Sequence, residues 1–507
     1  MECLLLPGLV GGCARYEAMP LNHRTVDQAL TPLPANVAQA RARELRHPLL
    51  APVVIDFNTG LTPDSAAVLA VIINPTLRAQ RDRRSLASAQ LLQAGLLPNP
   101  QLVASQDFIT SGPATINPFA IGPAFDFSSL ISHAAKVNAA KASSAAVQLD
   151  VAWVEWQTAE AAKTAVYDQV ALERQLALAH DVDQRLAQNV ALINNAVNQH
   201  QKTLLDSAAA EAASQTAHAG ALAIEQQVVH QRLVLLRAIG LPPGTPLRLR
   251  QDIPLPSRLT LPPAGQLMAE LESRRLDLRA LRRGYDAQEQ IVRAAILQQF
   301  PKISIGFNRA EDNTGVHSVG YGVTMDLPIF DRNQGGIAAE RATRQQLFDE
   351  YVSRIFQARS DLAMLLSDIE QITRQIKAAD AALPALRQLV ETYRLALDQG
   401  NADVLSYYTA QSELSQKEID VLKLRQQLAD SQVAVEIVAG RYLPPPAASR
   451  ESARMPATAP AARPGRSPAT QPGRLPATAP AIGPGTRPAT SRAISSANGP
   501  ATREAQP

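Results

Sequence analysis

Cysteine, aromatic residues and long apolar runs are scarce in this 507-residue chain. Its two cysteines, Cys3 and Cys13, both fall in the first thirteen residues, so the rest of the chain has no disulfide and no cysteine-based metal site. Aromatics make up only 4%, while Ala, Gln and Leu dominate the middle. That composition belongs to long helices rather than to the two or three globular domains the length alone would suggest. No run of about 18 apolar residues occurs, which argues against a membrane-spanning helix. Barrel strands need only about 9–11 residues, so a β-barrel stays open. Charge of one sign is missing too. The formal net charge is +3, and eight Arg against two Glu lie from Arg450 onward. The remaining chain is nearly neutral and offers no electrostatic case for nucleic acid.

Catalytic signatures are also absent. The chain has no P-loop, no Gly-rich dinucleotide fingerprint, no GxSxG and no HExxH. The eight His are scattered, with no metal-ligand spacing. No enzyme, cofactor or metal site is expected. Glu155 and Glu160 lie on one helical stretch without a partner constellation and read as a solvated face.

What is present is organised around Phe300–Gly336. Ile303, Ile305 and Phe307 alternate with Ser304, Gly306 and Asn308. After a polar turn, Val319, Tyr321, Val323, Met325 and Leu327 alternate with Gly320, Gly322, Thr324 and Asp326. Period-two alternation on both sides of a Gly/Asn/Asp turn predicts a β-hairpin with one apolar face and one small or polar face.

The unit occurs twice. Leu97–Phe108 and Phe119–Phe127 form an upstream hairpin, in which Pro123 predicts a local irregularity because it cannot donate to the ladder. Leu77-Arg78-Ala79 returns as Leu278-Arg279-Ala280, Asp126-Phe127 returns as Asp326-Leu327, and Gly240-Leu241-Pro242 is echoed from Gly440 to Pro444. A steady shift of about 200 residues is an internal duplication. The expected organisation is a first repeat over 62–246 with its hairpin at 101–127, a Pro-rich linker over 247–263, and a second repeat over 264–444 with its hairpin at 302–327. Each repeat reads helix, hairpin, very long helix, return helix.

The first helix, to about Leu97, carries an interruption at Asn74-Pro75, and its counterpart from about Ala264 to Gln299 reads as unbroken. From Ser129 to about Gln199 there is neither Pro nor Gly; some 70 helical residues span roughly 105 Å. His200–Asp206 reads as the turn into the return helix, and Gln399-Gly400-Asn401 as its counterpart. Pro384 is expected to kink the second long helix.

Residues 14–61 hold five prolines and read as irregular, wrapping the outside of the body. Residues 1–13 end in Val10-Gly11-Gly12-Cys13, similar to a bacterial lipobox. No Lys or Arg precedes the short apolar run. Two readings stand for Cys13, lipid attachment or an accidental Gly-Gly-Cys, and attachment is the expectation. Residues 445–507 repeat Pro-Ala-Thr among Arg and Gly, and read as a disordered cationic tail.

Two hairpins supply four strands, too few to close a barrel, and an open edge cannot face lipid. If the apolar rows face lipid, several chains must share one barrel, and three chains would give twelve strands. A soluble sheet on a core is the competing reading; no other strand-rich region exists to form that core. A soluble coiled-coil scaffold competes for the long helices, although inserted hairpins are not a filament feature.

The doubled pattern resembles the TolC-type outer-membrane efflux factors of Gram-negative bacteria over about Asp64–Pro444. The resemblance rests on NPTLRAQ at Asn74–Gln80, LPNPQL at Leu97–Leu102, GYGVTMDLPIFDRNQGG at Gly320–Gly336, and the return helices ending in Gly240 and Gly440. LPNPQL leans toward the lipidated branch that exports cations and drugs. The resemblance implies a mainly α fold: a homotrimer whose long helices form a periplasmic α-barrel and whose hairpins form a shared 12-stranded transmembrane β-barrel. It implies passive conduction from periplasm to exterior, an outer-membrane lipid environment, and partners in a periplasmic adaptor and an inner-membrane pump. A type I protein-secretion exit duct shares this architecture and stands as the alternative within transport.

In this family the helical tips meet the adaptor, through a Gly followed six residues later by Asp and eleven later by Gln. The second tip has Gly400, Ser406 and Gln411; the first has His200, Asp206 and Glu211. The adaptor-facing candidates are therefore His200, Lys202, Leu205, Asp206, Gly400, Asn401, Asp403, Leu405 and Ser406. His200 could be a pH-sensitive gate or metal contact, but is expected to be an exposed turn residue. Asp126, Thr324 and Asp326 are candidates for the lumen side of the barrel; for the two Asp, a strand-end hydrogen-bonding role is equally open.

Overall fold

Capping side chains and prolines set where the helices begin and end. A computed structural model describes residues 16–112, 116–399 and 401–443. Cys13, Gly400 and the tail over 445–507 lie outside the described residues. In chain order the elements are α1 (His23–Leu30), α2 (Ala35–Arg43), α3 (Pro63–Ile73), α4 (Pro75–Gly95), β1 (Gln101–Gln106), β2 (Phe119–Asp126), α5 (Ser128–Asn198) and α6 (Leu204–Ile239). The second repeat continues as α7 (Ala264–Arg274), α8 (Leu276–Leu297), β3 (Ile303–Glu311), β4 (His317–Met325), α9 (Gln334–Asp398) and α10 (Val404–Ala439).

Both repeats open with a helix broken once, at equivalent positions. Asn74 is extended (ψ 119°) because proline follows it. Its amide oxygen caps α4 by accepting from Thr76 N at 3.0 Å, and its amide nitrogen donates to Ala238 O at 2.9 Å. Arg275 is extended likewise (ψ 120°) with no proline behind it. The unbroken helix expected from about Ala264 to Gln299 is thus wrong. The guanidinium of Arg275 grips Asp277 at 2.6 and 3.0 Å and reaches Val438 O at 3.5 Å, which holds the break open. Each break receives the end of its own return helix. Gly240 (φ +92°) lies so close that a Cβ there would sit 2.5 Å from Asn74 Cα, and Gly440 (φ +62°) is in similar contact with Arg275 Cα at 3.1 Å. Positive φ and close approach together require glycine at both places.

The N-terminal segment also differs from expectation. Residues 14–61 are not uniformly irregular: they contain α1 and α2, with Asn22 and Thr25 forming a capping box on α1. The prolines that suggested loop stand outside these helices, and Pro34 is the N-cap of α2. Ala38 and Ala42 of α2 are buried in the largest hydrophobic cluster, with Val68 and Leu69 of α3, Val166 of α5, Leu235 of α6 and Val433 of α10. Many members are Ala, which lets helix backbones approach closely.

The strands form one antiparallel sheet in the order β1-β2-β3-β4. The central β2–β3 ladder joins the two repeats. Its pairing lapses between Ile121↔Arg309 and Ala124↔Gly306. Pro123 has no N–H to give, and a Cβ on Gly122 would lie 1.6 Å from Phe307 O, so the backbones pass there without a side chain between them. α5, with 71 residues, is about 107 Å long. α9 continues through Pro384 to Asp398. No helix among the described residues is long and apolar enough to cross a membrane.

Candidate functional site: an open sheet, two helical tips and the joint between repeats

Strand register sorts the sheet into two unlike faces. Cross-strand partners share a face, so Ile303 and Met325, Ile305 and Val323, Phe307 and Tyr321 stand together, joined through Ile305↔Phe125 by Phe125 and Ile121 of β2. The other face carries Ala120, Gly122, Ala124 and Asp126, then Ser304, Gly306 and Asn308, then Gly320, Gly322 and Thr324. Every residue of β4 is exposed, Val319 at 85% and Tyr321 at 77%. β1 and β4 each leave one edge unpaired within the chain. A sheet with an uncovered apolar face and two free edges is incomplete in water.

Asp126 and Thr324 both pair with Ser304, so the three form one row across the polar face. Ser304 was not singled out from the sequence, because only the register brings it between the other two. Asp126 also accepts hydrogen bonds from Ser128 N at 2.9 Å and from Ser128 Oγ, which fixes the entry of α5. Asp326 lies just beyond β4, where its N donates to Lys302 O at 3.0 Å.

The two helical tips are built alike with exchanged side chains. Gln201 N donates to Ala196 O at 2.9 Å and Asn401 N to Ala396 O at 2.7 Å, the same five-residue closure of a helix end. His200 adopts φ +60° to make this turn, so its backbone supplies what glycine ordinarily supplies. The turn is shorter than the expected 200–206: α6 begins at Leu204, and Leu205 and Asp206 are already helical. At the first tip Thr203 Oγ1 accepts from Asp206 N at 3.2 Å while Asp206 Oδ2 accepts from Thr203 N at 2.8 Å, a capping box. At the second, Asp403 is the cap: it accepts from Ser406 N at 2.8 Å and from Ser406 Oγ at 2.7 Å. These bonds hold the Asp403 carboxyl below its ordinary range. Ser406 in place of Asp is thus matched by Asp403 in place of Thr. Lys202 is half-buried and Asn401 exposed, while Leu204, Leu205 and Leu405 leave large apolar surfaces in solvent. Gly400 lies outside the described residues.

A buried charge cluster joins the repeats. Lys163 Nζ on α5 lies 2.6 Å from Glu436 Oε2 on α10 and 3.4 Å from Asp64 Oδ1. The other oxygen of Glu436 accepts from Leu443 N at 3.0 Å. Glu160 is fully buried, and neither of its oxygens accepts a hydrogen bond. Burial pushes its carboxyl well above the ordinary range; Glu436 adds to this and Lys163 opposes it. Glu160 is therefore the member that holds a proton, and Glu436 is the one that meets the Lys163 ammonium and the Leu443 amide. Burial alone would lower Lys163, but Glu436 above all, with Asp64, holds it well above its ordinary value, so it stays charged. Tyr442 stacks beneath the ammonium at 4.7 Å and meets Trp156 edge-to-face at 4.9 Å. One turn earlier, Glu155 receives Arg81 at 2.6 Å and Arg84 at 2.9 Å from α4. Burial raises its carboxyl, the two guanidiniums lower it by more, and the net direction is down.

The solvated face expected for Glu155 and Glu160 is therefore wrong: they are 4% and 0% exposed. The partners of Glu155 lie about 70 residues away in the chain, beyond the reach of any local spacing, and Glu160 is buried with no hydrogen-bond partner. Among the described residues no group of three or more His, Cys, Asp or Glu could hold a metal ion.

The fold is one shared with solved outer-membrane channels. Residues 267–441, most of the second repeat, match the family described as outer membrane efflux protein. The chain is 25% identical over 190 residues to the cobalt-zinc-cadmium resistance protein CzcC of Cupriavidus metallidurans, a match spanning 37% of this chain and 44%, less than half, of that relative's length. Among solved structures, CusC, whose structures describe transmembrane channel formation, shares the fold at TM-score 0.63 and 18% identity, covering 78% of this chain and 98% of the other. The outer membrane protein VceC of Vibrio cholerae matches at TM-score 0.63 and 18% identity over 75% and 96% of the two chains. The TolC-type resemblance read from the sequence is borne out, and with it the mainly α fold carrying a small antiparallel sheet.

Proposed function

We propose that three copies of this chain form the outer-membrane exit duct of a tripartite efflux system. The observation that carries the proposal is the four-stranded sheet, apolar on one exposed face and unpaired at both edges. Backbone edges cannot face lipid. Pairing β4 of one copy with β1 of the next removes every edge and closes twelve strands. The apolar rows then meet lipid, and Asp126, Thr324 and Asp326 line the lumen. The long helices of the three copies continue the conduit on the periplasmic side. Conduction is passive and the chain is no enzyme; an inner-membrane pump supplies the energy through a periplasmic adaptor that meets the two tips, at His200, Lys202, Leu205, Asp206, Gly400, Asn401, Asp403, Leu405 and Ser406. A lipid on Cys13 adds a second anchor. The cargo is a small molecule, a drug or a metal cation, and the relative named for cobalt, zinc and cadmium resistance favours the cation.

The test is deletion of the gene in its own host. The deletion strain should accumulate zinc, cobalt or a dye, and the wild-type chain should restore export. A Cys13→Ser variant should lose labelling by a radioactive fatty acid. Unchanged accumulation of every cargo in the deletion strain, with the protein absent from the outer membrane of the wild type, would contradict the proposal.

A further inference from the structure

We infer that His47 is an acid-released latch that fastens the N-terminal segment over the tryptophan cluster of α5. His47 lies in the stretch between α2 and α3, and its side chain is 2% exposed. Its Nδ1 accepts two backbone hydrogen bonds, from Leu49 N at 3.1 Å and Leu50 N at 3.0 Å. A ring nitrogen that receives two N–H groups cannot itself carry a proton. The ring is therefore neutral, with its proton on Nε2, which donates to Ala152 O on α5 at 3.0 Å. The bonds to Nδ1 seat Leu50, itself buried, in a cluster with Val71, Leu77, Trp153, Trp156 and Leu276.

A second proton has one place to go, Nδ1, where it would point at the two N–H donors. Those bonds must then break, and the turn that seats Leu50 breaks with them. The charged groups facing the ring are Glu155 from α5, 3.7 Å from Nε2, and Arg81 and Arg84 from α4. Among the described residues Glu155 is the acidic group beside the ring, and its two oxygens already receive Arg81 and Arg84 at 2.6 and 2.9 Å. Burial lowers the ring's proton affinity more than the Ala152 carbonyl and Glu155 raise it. With the folded value depressed, the latch contributes fully above the ordinary imidazole range. That contribution is lost as pH falls from about 6.5 through the ring's lowered value.

Trp153 and Trp156 are the only tryptophans of the chain, so its intrinsic fluorescence reports this cluster. In the detergent-extracted full-length protein, titration from pH 8 to pH 5 should red-shift the emission and raise acrylamide quenching at least twofold, reversibly. The His47→Asn variant keeps an acceptor oxygen near Nδ1 and does not titrate, so its emission should match wild type at pH 8 and stay flat to pH 5. A flat wild-type titration, or the same transition in the variant, overturns the latch. Hydrogen exchange of the wild type needs no variant. Amides 49 and 50 should lose at least tenfold protection between pH 7.5 and pH 5.5 after correction for intrinsic rates. Unchanged protection there overturns it as well.

Discussion

Lys163→Met removes the one cation from a site that keeps a carboxylate. Glu436 is 0% exposed and Lys163 5%, so solvent cannot take over the neutralisation. Breaking such a pair from one side costs about 3–5 kcal/mol, against at most about 1 kcal/mol for an exposed pair. With an unfolding entropy of ~2.1 cal/mol/K per residue over roughly 430 ordered residues, the expected fall in melting temperature is about 3–6 °C. Adding Glu436→Gln should recover a large part of the loss, since the uncompensated charge disappears. Glu160→Gln should be neutral or stabilising at pH 7, because that carboxyl is already protonated. The sign follows from its raised value: the folded chain holds this proton after the unfolded chain has released it, so stability falls as pH rises from the ordinary carboxyl range through the raised one. Glu160→Gln should flatten that fall. Thermal melts by circular dichroism at pH 5, 7 and 8.5 make the comparison. A loss below about 1 °C in Lys163→Met would refute the buried joint between the repeats.

Three further outcomes are expected. Gly122→Val places atoms inside contact distance of Phe307 O; it should abolish the β2–β3 pairing and the assembled form on unheated gels while helical ellipticity persists. Gly240→Val combines the strain of positive φ, about 1–3 kcal/mol, with a clash on Asn74 Cα; the melting temperature should drop by at least 2 °C. Thr203→Ala should cost about 1 kcal/mol as a lost cap, measured by denaturant unfolding. The paired change Thr203→Asp with Asp206→Ser copies the second tip and should return most of it.

The parts of this fold written in local spacing were legible. Period-two alternation placed both hairpins and sorted their faces, and the absence of Pro and Gly from Ser129 onward marked α5. The break at Arg275 was not legible, because nothing in the local sequence forbids helix there; the bond to Val438 O and the approach of Gly440 impose it from 160 residues away. α1 and α2 were hidden by prolines that prove to flank helices rather than to interrupt them. The tips were half legible. Gly400 and Asp206 drew attention, but the exchange of Thr203/Asp206 for Asp403/Ser406 appears only once the caps are seen, because each pair does the same work with the acid at the opposite end. Glu155, Glu160 and His47 were misread or overlooked for one reason: burial of a titratable group is a property of the assembled fold, made by elements distant in the chain.

Shared closure of the sheet by three chains is the claim on which the rest depends. Single-particle imaging of the protein extracted from the outer membrane in detergent tests it most directly. The account predicts a three-fold tube with twelve strands at one end and β4 of each copy paired with β1 of the next. A monomer that stays soluble without detergent, or a two-chain helical rod, would contradict it.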